Sequence, residues 1–85
     1  MSHIVYILQC ADNTLYTGYT NNIEKRLVSH NGGSAGAKYT RSRRPVLLVY
    51  SEPARTLSLA RKREAVIKQL TRQEKMQLIG HKKMA

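Results

Sequence analysis

The 85 residues include no phenylalanine, no tryptophan, one cysteine, two prolines and only five acidic side chains. Each scarcity excludes something. A lone Cys10 excludes an intramolecular disulfide and any cysteine-built metal cluster, and it fits a reducing, cytoplasmic setting. At the end of an apolar stretch it reads as a small buried hydrophobe. The longest apolar run, Ile4 to Leu8, is far short of the ~20 residues that span a bilayer. The N-terminal residues lack the basic-then-apolar pattern of a secretory signal. These absences predict a soluble chain with no membrane partner. With Phe and Trp missing, the aromatic surface is all tyrosine, so every ring carries a hydroxyl.

Positive charge is what the chain has in excess. Lys and Arg number 15 against 5 Asp and Glu, a formal net charge of +10 with a sequence pI near 10.3. Such an excess attracts polyanions and speeds encounter with them. Nucleic acid is the expected partner, held through its phosphates with strong salt dependence. A basic surface that docks on a protein or a ribosome is the rival reading. The length suffices for one domain, residues 1–85, expected to be a monomer. A domain of this size buries only about 60% of its unfolded surface, so its core is thin.

The hydrophobic pattern gives the element order β-β-α-β-α-α. Residues 3–9 read as a strand with little alternation, which suggests a central position covered on both faces. Asp12-Asn13 marks a turn, and Leu15 to Gly18 reads as the second strand of a hairpin. Asn21 with Glu24 three residues on has the form of a capping box opening the first helix, and Asn31-Gly32-Gly33 closes it. Val46 to Tyr50 reads as the third strand, and Pro53 marks the approach to a second helix over about Thr56 to Leu70. Thr71 with Glu74 is a further capping box, opening a short last helix that stops at Gly80 before a frayed tail. A right-handed crossover from strand two to strand three would run them parallel with strand one between them. The expected fold is α+β, a three-stranded, mainly antiparallel sheet with flanking helices.

Several polar residues fall where a core belongs. On the first helix the inward stripe contains Ile23 and Leu27, yet Arg26 and His30 lie beside it and, four apart, stack on one face. An Arg next to a core is costly unless something anionic meets it; the alternative is a snorkelling Arg and a satisfied His. On the second helix Leu57, Leu59, Ala60, Val66, Ile67 and Leu70 form a broad apolar face. Glu64 lies at its edge, either paired with Lys68 or holding a hard divalent cation at the rim of a cleft. Arg63 falls inside the same arc, as a snorkelling side chain or a phosphate contact. Tyr6 and Tyr16 lie on adjacent strands, either as cross-strand packing or as two phenols at one site.

Taken in order, these residues resemble the GIY-YIG nucleases. The first half-signature reads Ile4-Val5-Tyr6 and the second Tyr16-Thr17-Gly18. Thr20, Ile23, Arg26 and His30 follow at family-like spacing, and Glu64 falls on the helix after the third strand. Ala37-Lys38-Tyr39-Thr40-Arg41 with Arg44-Pro45 is similar to the small single-domain bacterial subgroup of that family. The resemblance covers about residues 3 to 79. Ile4 replaces the signature Gly and Thr17 the signature Ile. Tyr19 stands where some members carry a lysine, Tyr39 where others carry a second histidine, and a downstream asparagine of some members has no match.

The resemblance implies a metal-dependent endonuclease acting on phosphodiester bonds, in DNA repair, recombination or processing, with DNA as the substrate. Its implied catalytic set is Tyr6, Tyr16, Arg26, His30 and Glu64. One divalent metal ion, Mg²⁺ or Mn²⁺, would sit on Glu64. Arg26 would grip the phosphate, Tyr16 would act as general base and Tyr6 would position the nucleophile, these two roles being exchangeable. A free phenol titrates near 10, so such a site needs Arg26, the metal and His30 to favour the phenolate; His30 can instead accept a tyrosine's proton. Lys38, Tyr39, Arg41, Arg43, Arg44 and Lys68 are the expected contacts to flanking nucleic acid. The rival is a non-catalytic nucleic-acid-binding module with the same fold.

Overall fold

A computed structural model describes residues 3–32 and 43–84 of the chain. Strand β1 (His3–Gln9) turns into β2 (Leu15–Thr20), followed by helix α1 (Ile23–Gly32) and strand β3 (Leu47–Ala54). Helices α2 (Leu57–Lys68) and α3 (Arg72–Met84) complete the chain. The sheet order is β2-β1-β3, and β1 is antiparallel to both neighbours. The outer strands therefore run parallel to each other with β1 between them, as the crossover argument requires.

The central position explains why β1 does not alternate. Val5 and Ile7 point to one face, where they pack with Tyr50, Ala60, Ile67 and Ile79 beneath α2 and α3. Tyr6 and Leu8 point to the other, where they meet Cys10, Val46 and the α1 stripe of Ile23 and Leu27. Cys10 is a buried free thiol, as expected of a small hydrophobe. The hairpin turns at Asn13, whose φ of 69° lies in the left-handed region that Asn tolerates. Asp12 Oδ1 pins the turn by accepting from the Thr14 amide at 3.1 Å.

Several boundaries, and the width of one apolar face, differ from the sequence reading. Helix α1 is capped by Asn22 rather than Asn21. Thr20 Oγ1 accepts from the Asn22 amide at 3.1 Å, and Asn22 Oδ1 then accepts from the Lys25 amide at 3.1 Å, which leaves no role for an Asn21–Glu24 box. Strand β3 runs through Pro53 to Ala54, because β3 is an edge strand and an edge tolerates a residue without an N–H. Helix α3 passes through Gly80 to Met84, since Gly80 keeps an ordinary helical φ and a single interior Gly costs only about 1 kcal/mol. The apolar face of α2 is narrower than the wheel suggests: Ala60 and Ile67 are fully buried, while Leu57, Leu59 and Val66 are about half exposed. The Thr71–Glu74 capping box forms as expected, with Thr71 N donating to Glu74 Oε1 at 2.9 Å and Glu74 N to Thr71 Oγ1 at 3.1 Å. Gly33 lies outside the described residues.

The C-terminal turn of α1 is tied to the chain entering β3. Asn31 Nδ2 donates to Val46 O at 3.1 Å, and Val46 N donates to Asn31 Oδ1 at 2.7 Å. One side-chain amide thus replaces a missing strand neighbour for a buried residue. Asn31→Ala leaves both backbone groups of Val46 without that partner, an expected cost of about 2 kcal/mol, to be read as a lower urea midpoint with an unchanged slope.

Candidate active site

The hairpin register places Tyr6 opposite Gly18 and Leu8 opposite Tyr16, so the two phenols lie diagonally on the α1 face of the sheet. Their ring centroids are 6.5 Å apart. Helix α1 crosses this face and lowers His30 between them, at 5.9 Å from the Tyr6 ring and 5.2 Å from the Tyr16 ring. His30 is fully buried and Tyr6 is 1% exposed. Tyr6 Oη lies 2.9 Å from His30 Nε2. Arg26, one turn earlier on the same helix, hydrogen-bonds the phenol oxygens of both Tyr6 and Tyr16. A guanidinium only donates, so Arg26 donates to Tyr6; with the His30 proton on Nδ1, the Tyr6 hydroxyl donates its own hydrogen bond to His30 Nε2.

The electrostatics agree with that chain. Burial raises the Tyr6 pKa above the usual phenol value; the Arg26 hydrogen bond opposes this, and the charges of Tyr16 and Glu64 add to it. Tyr6 is therefore a protonated phenol at neutral pH. Burial, with the Arg26 and Arg44 charges beside it, lowers the His30 pKa from 6.5 to about 4. A neutral imidazole is what an acceptor for the Tyr6 proton must be.

Gly18 makes this packing possible. A Cβ built there would stand 2.6 Å from Tyr6 Oη, 2.8 Å from its Cζ and 3.2 Å from Tyr16 Cε2. The signature glycine is thus the seat on which the Tyr6 ring lies. The sequence signal for this role is a glycine inside a strand, opposite an aromatic residue, which marks a close approach.

Of the five expected catalytic residues, Tyr6, Tyr16, Arg26 and His30 share one cluster. Glu64 stands on α2, with a side chain 19% exposed and Oε1 3.6 Å from Lys68 Nζ. Its charge reaches Tyr6, where it disfavours ionisation. The i,i+4 pair of Glu64 and Lys68 is therefore formed. Among the described residues no group of three or more His, Cys, Asp and Glu side chains is placed to hold a metal. A single carboxylate with waters is the donor set of a hard, hydrated cation such as Mg²⁺, not of a soft metal, so Glu64 is chemically suited to the expected ion.

The basic residues expected to meet nucleic acid divide. Lys38, Tyr39 and Arg41 lie outside the described residues. Arg43 Nε donates to Asp12 Oδ2 at 3.1 Å and braces the hairpin turn. Arg44 Nε donates to His30 O at 2.6 Å and its Nη2 to Ser29 O at 3.4 Å, capping the negative end of α1. The sequence also hid a cluster on the other face. Arg63 Nε lies 3.1 and 3.0 Å from the two Glu52 oxygens, and Tyr50 donates to Glu52 Oε1. Arg63 is thereby explained as the half-buried tie between α2 and β3. No local pattern reveals it, because the partners belong to different elements.

Gly18→Ala is expected to displace the Tyr6 ring at an overpacking cost of about 1–3 kcal/mol, seen as a lower thermal midpoint and a changed Tyr6 ring environment by NMR. The depressed His30 pKa also fixes a pH dependence. Below pH 6.5 the unfolded chain takes up a proton that folded His30 refuses down to about pH 4. Stability contributed by neutral His30 is complete above 6.5 and is lost as the pH falls toward 4, by up to about 3 kcal/mol. Urea denaturation of the native chain and of His30→Gln across this window is expected to show a shallower loss in the variant.

Comparison with known proteins shows the family. Residues 2–77 match the family described as the GIY-YIG catalytic domain. A UPF0213 protein of Syntrophus aciditrophicus is 64% identical over 75 residues, covering 88% of this chain and 86% of that protein. A UPF0213 protein of Staphylococcus haemolyticus is 54% identical over 77 residues, covering 91% and 93%. Among solved structures, the solution structure of the UPF0213 protein BH0048 from Bacillus halodurans superposes with a TM-score of 0.62 at 41% identity, covering 96% of this chain and 86% of that one. The solution structure of EF2693 from E. faecalis gives 0.68 at 40% identity, covering 100% and 90%. With matches of this extent to a family whose half-signatures here seat Tyr6 and Tyr16 on one glycine, the chain belongs to the GIY-YIG family, among its small UPF0213 proteins.

Proposed function

We propose that this protein is a metal-dependent endonuclease that hydrolyses phosphodiester bonds in DNA, working in the cytoplasm in repair, recombination or related processing. Family membership implies a nuclease-like function in general. The observation that carries the finer reading is the Arg26 guanidinium held against two phenols, with a neutral histidine beneath them. A basic protein of net charge +10 draws a polyanion to that site.

Hydrolysis needs an activated water, neutralised phosphate charge and a stabilised leaving oxygen. Arg26 has five N–H donors in a planar fork, enough to hold the phenol oxygens and the non-bridging oxygens of a phosphate together. Its position is pre-set by the tyrosines, so little reorganisation accompanies binding. Tyr6, kept protonated by burial, does not serve as base; with its O–H directed to His30, it positions the phosphate by holding Arg26. Tyr16, the more exposed phenol, is the base: it must first release its own proton to solvent, and the phenolate then takes the water's proton. His30 fixes the Tyr6 hydroxyl and stands ready to receive its proton if the phenol network shifts. A divalent cation on Glu64, when bound, supplies Lewis-acid stabilisation of the leaving oxygen. Arg43, Arg44 and Lys68 extend the basic surface toward flanking phosphates, and Lys38, Tyr39 and Arg41 are further proposed contacts to nucleic acid.

Labelled single-stranded, duplex and branched DNA, incubated at low salt with Mg²⁺, Mn²⁺ or EDTA, tests the reading. Cutting that needs the cation and falls at least about 100-fold in Glu64→Ala and Tyr16→Phe is expected. Binding without cutting in every condition would make the protein a non-catalytic nucleic-acid-binding module.

A further inference from the structure

Arg26 stands where two surface clefts meet. One, of about 350 Å³, is lined by His3, Tyr19, Thr20, Asn21, Arg26 and Leu57. The other, of about 280 Å³, is lined by Thr20, Asn21, Asn22, Lys25, Arg26 and Ser29. Three residues are common to both, and the remainder differ in character. The second cleft adds an ammonium, a hydroxyl and an amide, the groups that meet a phosphate and its sugar. The first adds a phenol ring, an imidazole and a leucine, the walls that meet a flat heterocycle.

Two further features of the first cleft call for a ligand of that kind. His3 Nδ1 is buried and has no hydrogen-bond partner among the described residues, a condition that native structures rarely leave unmet. Leu57, at the first turn of α2, keeps 45% of its surface exposed, so apolar area remains for an occupant. The volume is at the low end of the ~300–1,000 Å³ of small-molecule sites. That is room for one ring system.

We propose that this cleft binds one unpaired nucleobase of the strand being cut, stacked on Tyr19 and hydrogen-bonded to His3, next to the phosphate held by Arg26. The proposal rests on the nuclease reading and narrows it. A base stacked and paired in a duplex cannot enter the cleft, so the substrate is a single strand or a nucleotide that has left its stack. The second cleft then carries the neighbouring phosphate over Lys25.

The test compares affinities for two strands of equal length in EDTA, where no cutting occurs: a twelve-residue oligothymidylate and a twelve-residue strand of abasic sugar-phosphate. The native chain is expected to prefer the strand with bases by about tenfold, the range of one base on an aromatic side chain. Tyr19→Phe is expected to keep that preference, and Tyr19→Leu to lose it while binding the abasic strand as the native chain does. That retained affinity also shows the Leu variant to be folded. His3→Ala, at the first residue of the central strand, gives a second reading in which the preference falls at least threefold. Equal affinity of the native chain for both strands, or an undiminished preference in Tyr19→Leu and His3→Ala, overturns the base cleft and leaves the nuclease reading intact if the native chain still cuts with Mg²⁺. Failure of the native chain to bind or cut any strand overturns both.

Discussion

The hydrogen bond between Tyr6 and His30 is the constraint on which the rest of the molecule is arranged. It joins the central strand to α1 at 2.9 Å with both side chains almost wholly out of solvent. In a domain with so thin a core, two polar side chains occupy volume that a larger protein would give to Phe or Leu. Buried polar groups stabilise only when satisfied, so the pair must be held in register. Gly18 clears the space for the Tyr6 ring, and Arg26 meets the Tyr6 oxygen. The outcome is a site whose geometry is part of the core itself.

Helix α1 carries two of the four clustered residues, and both of its ends are fixed by side chains. Asn22 caps the first turn, backed by Thr20. Arg44 and Asn31 tie the last turn to the start of β3. A rotation of α1 by one residue would carry Arg26 and His30 some 100° away from the phenols, so these caps act on chemistry as well as on stability. The opposite face is fixed separately by the Glu52–Arg63 ion pair between β3 and α2. That pair sets the position of the helix bearing Glu64. The reading of Glu64 as the cation's ligand therefore rests on two independent attachments of helices to one sheet.

Much of this was legible in the residues before any coordinates. The unalternating run of β1, the hairpin turn and the i,i+4 spacing of Arg26 and His30 are local signals, and each corresponds to the element found. The elements that escaped depend on context. Pro53 looked like a strand terminator because only its place on a sheet edge makes it tolerable, and Gly80 looked like a helix stop because only its φ shows otherwise. The cap moved from Asn21 to Asn22 through one threonine hydroxyl, a choice between adjacent, chemically equal side chains. Arg63 and Glu52 are 11 apart in sequence and meet only once α2 docks on β3. For the same reason the helical wheel of α2 overstated its buried face. Only the docking angle decides that Ala60 and Ile67 go in while Leu57 and Val66 remain at the surface.

The central claim is that the Arg26–Tyr6–His30 chain serves phosphodiester hydrolysis and not packing alone. Tyr6→Phe keeps the ring on Gly18 and removes only the oxygen that joins arginine to histidine. Single-turnover cleavage by this variant and the native chain, on the strand the native chain cuts best with Mg²⁺, addresses the claim directly. The account predicts a rate lower by about 10²–10³-fold in a variant whose circular dichroism shows the native fold. A folded Tyr6→Phe protein that cuts at the native rate would contradict it.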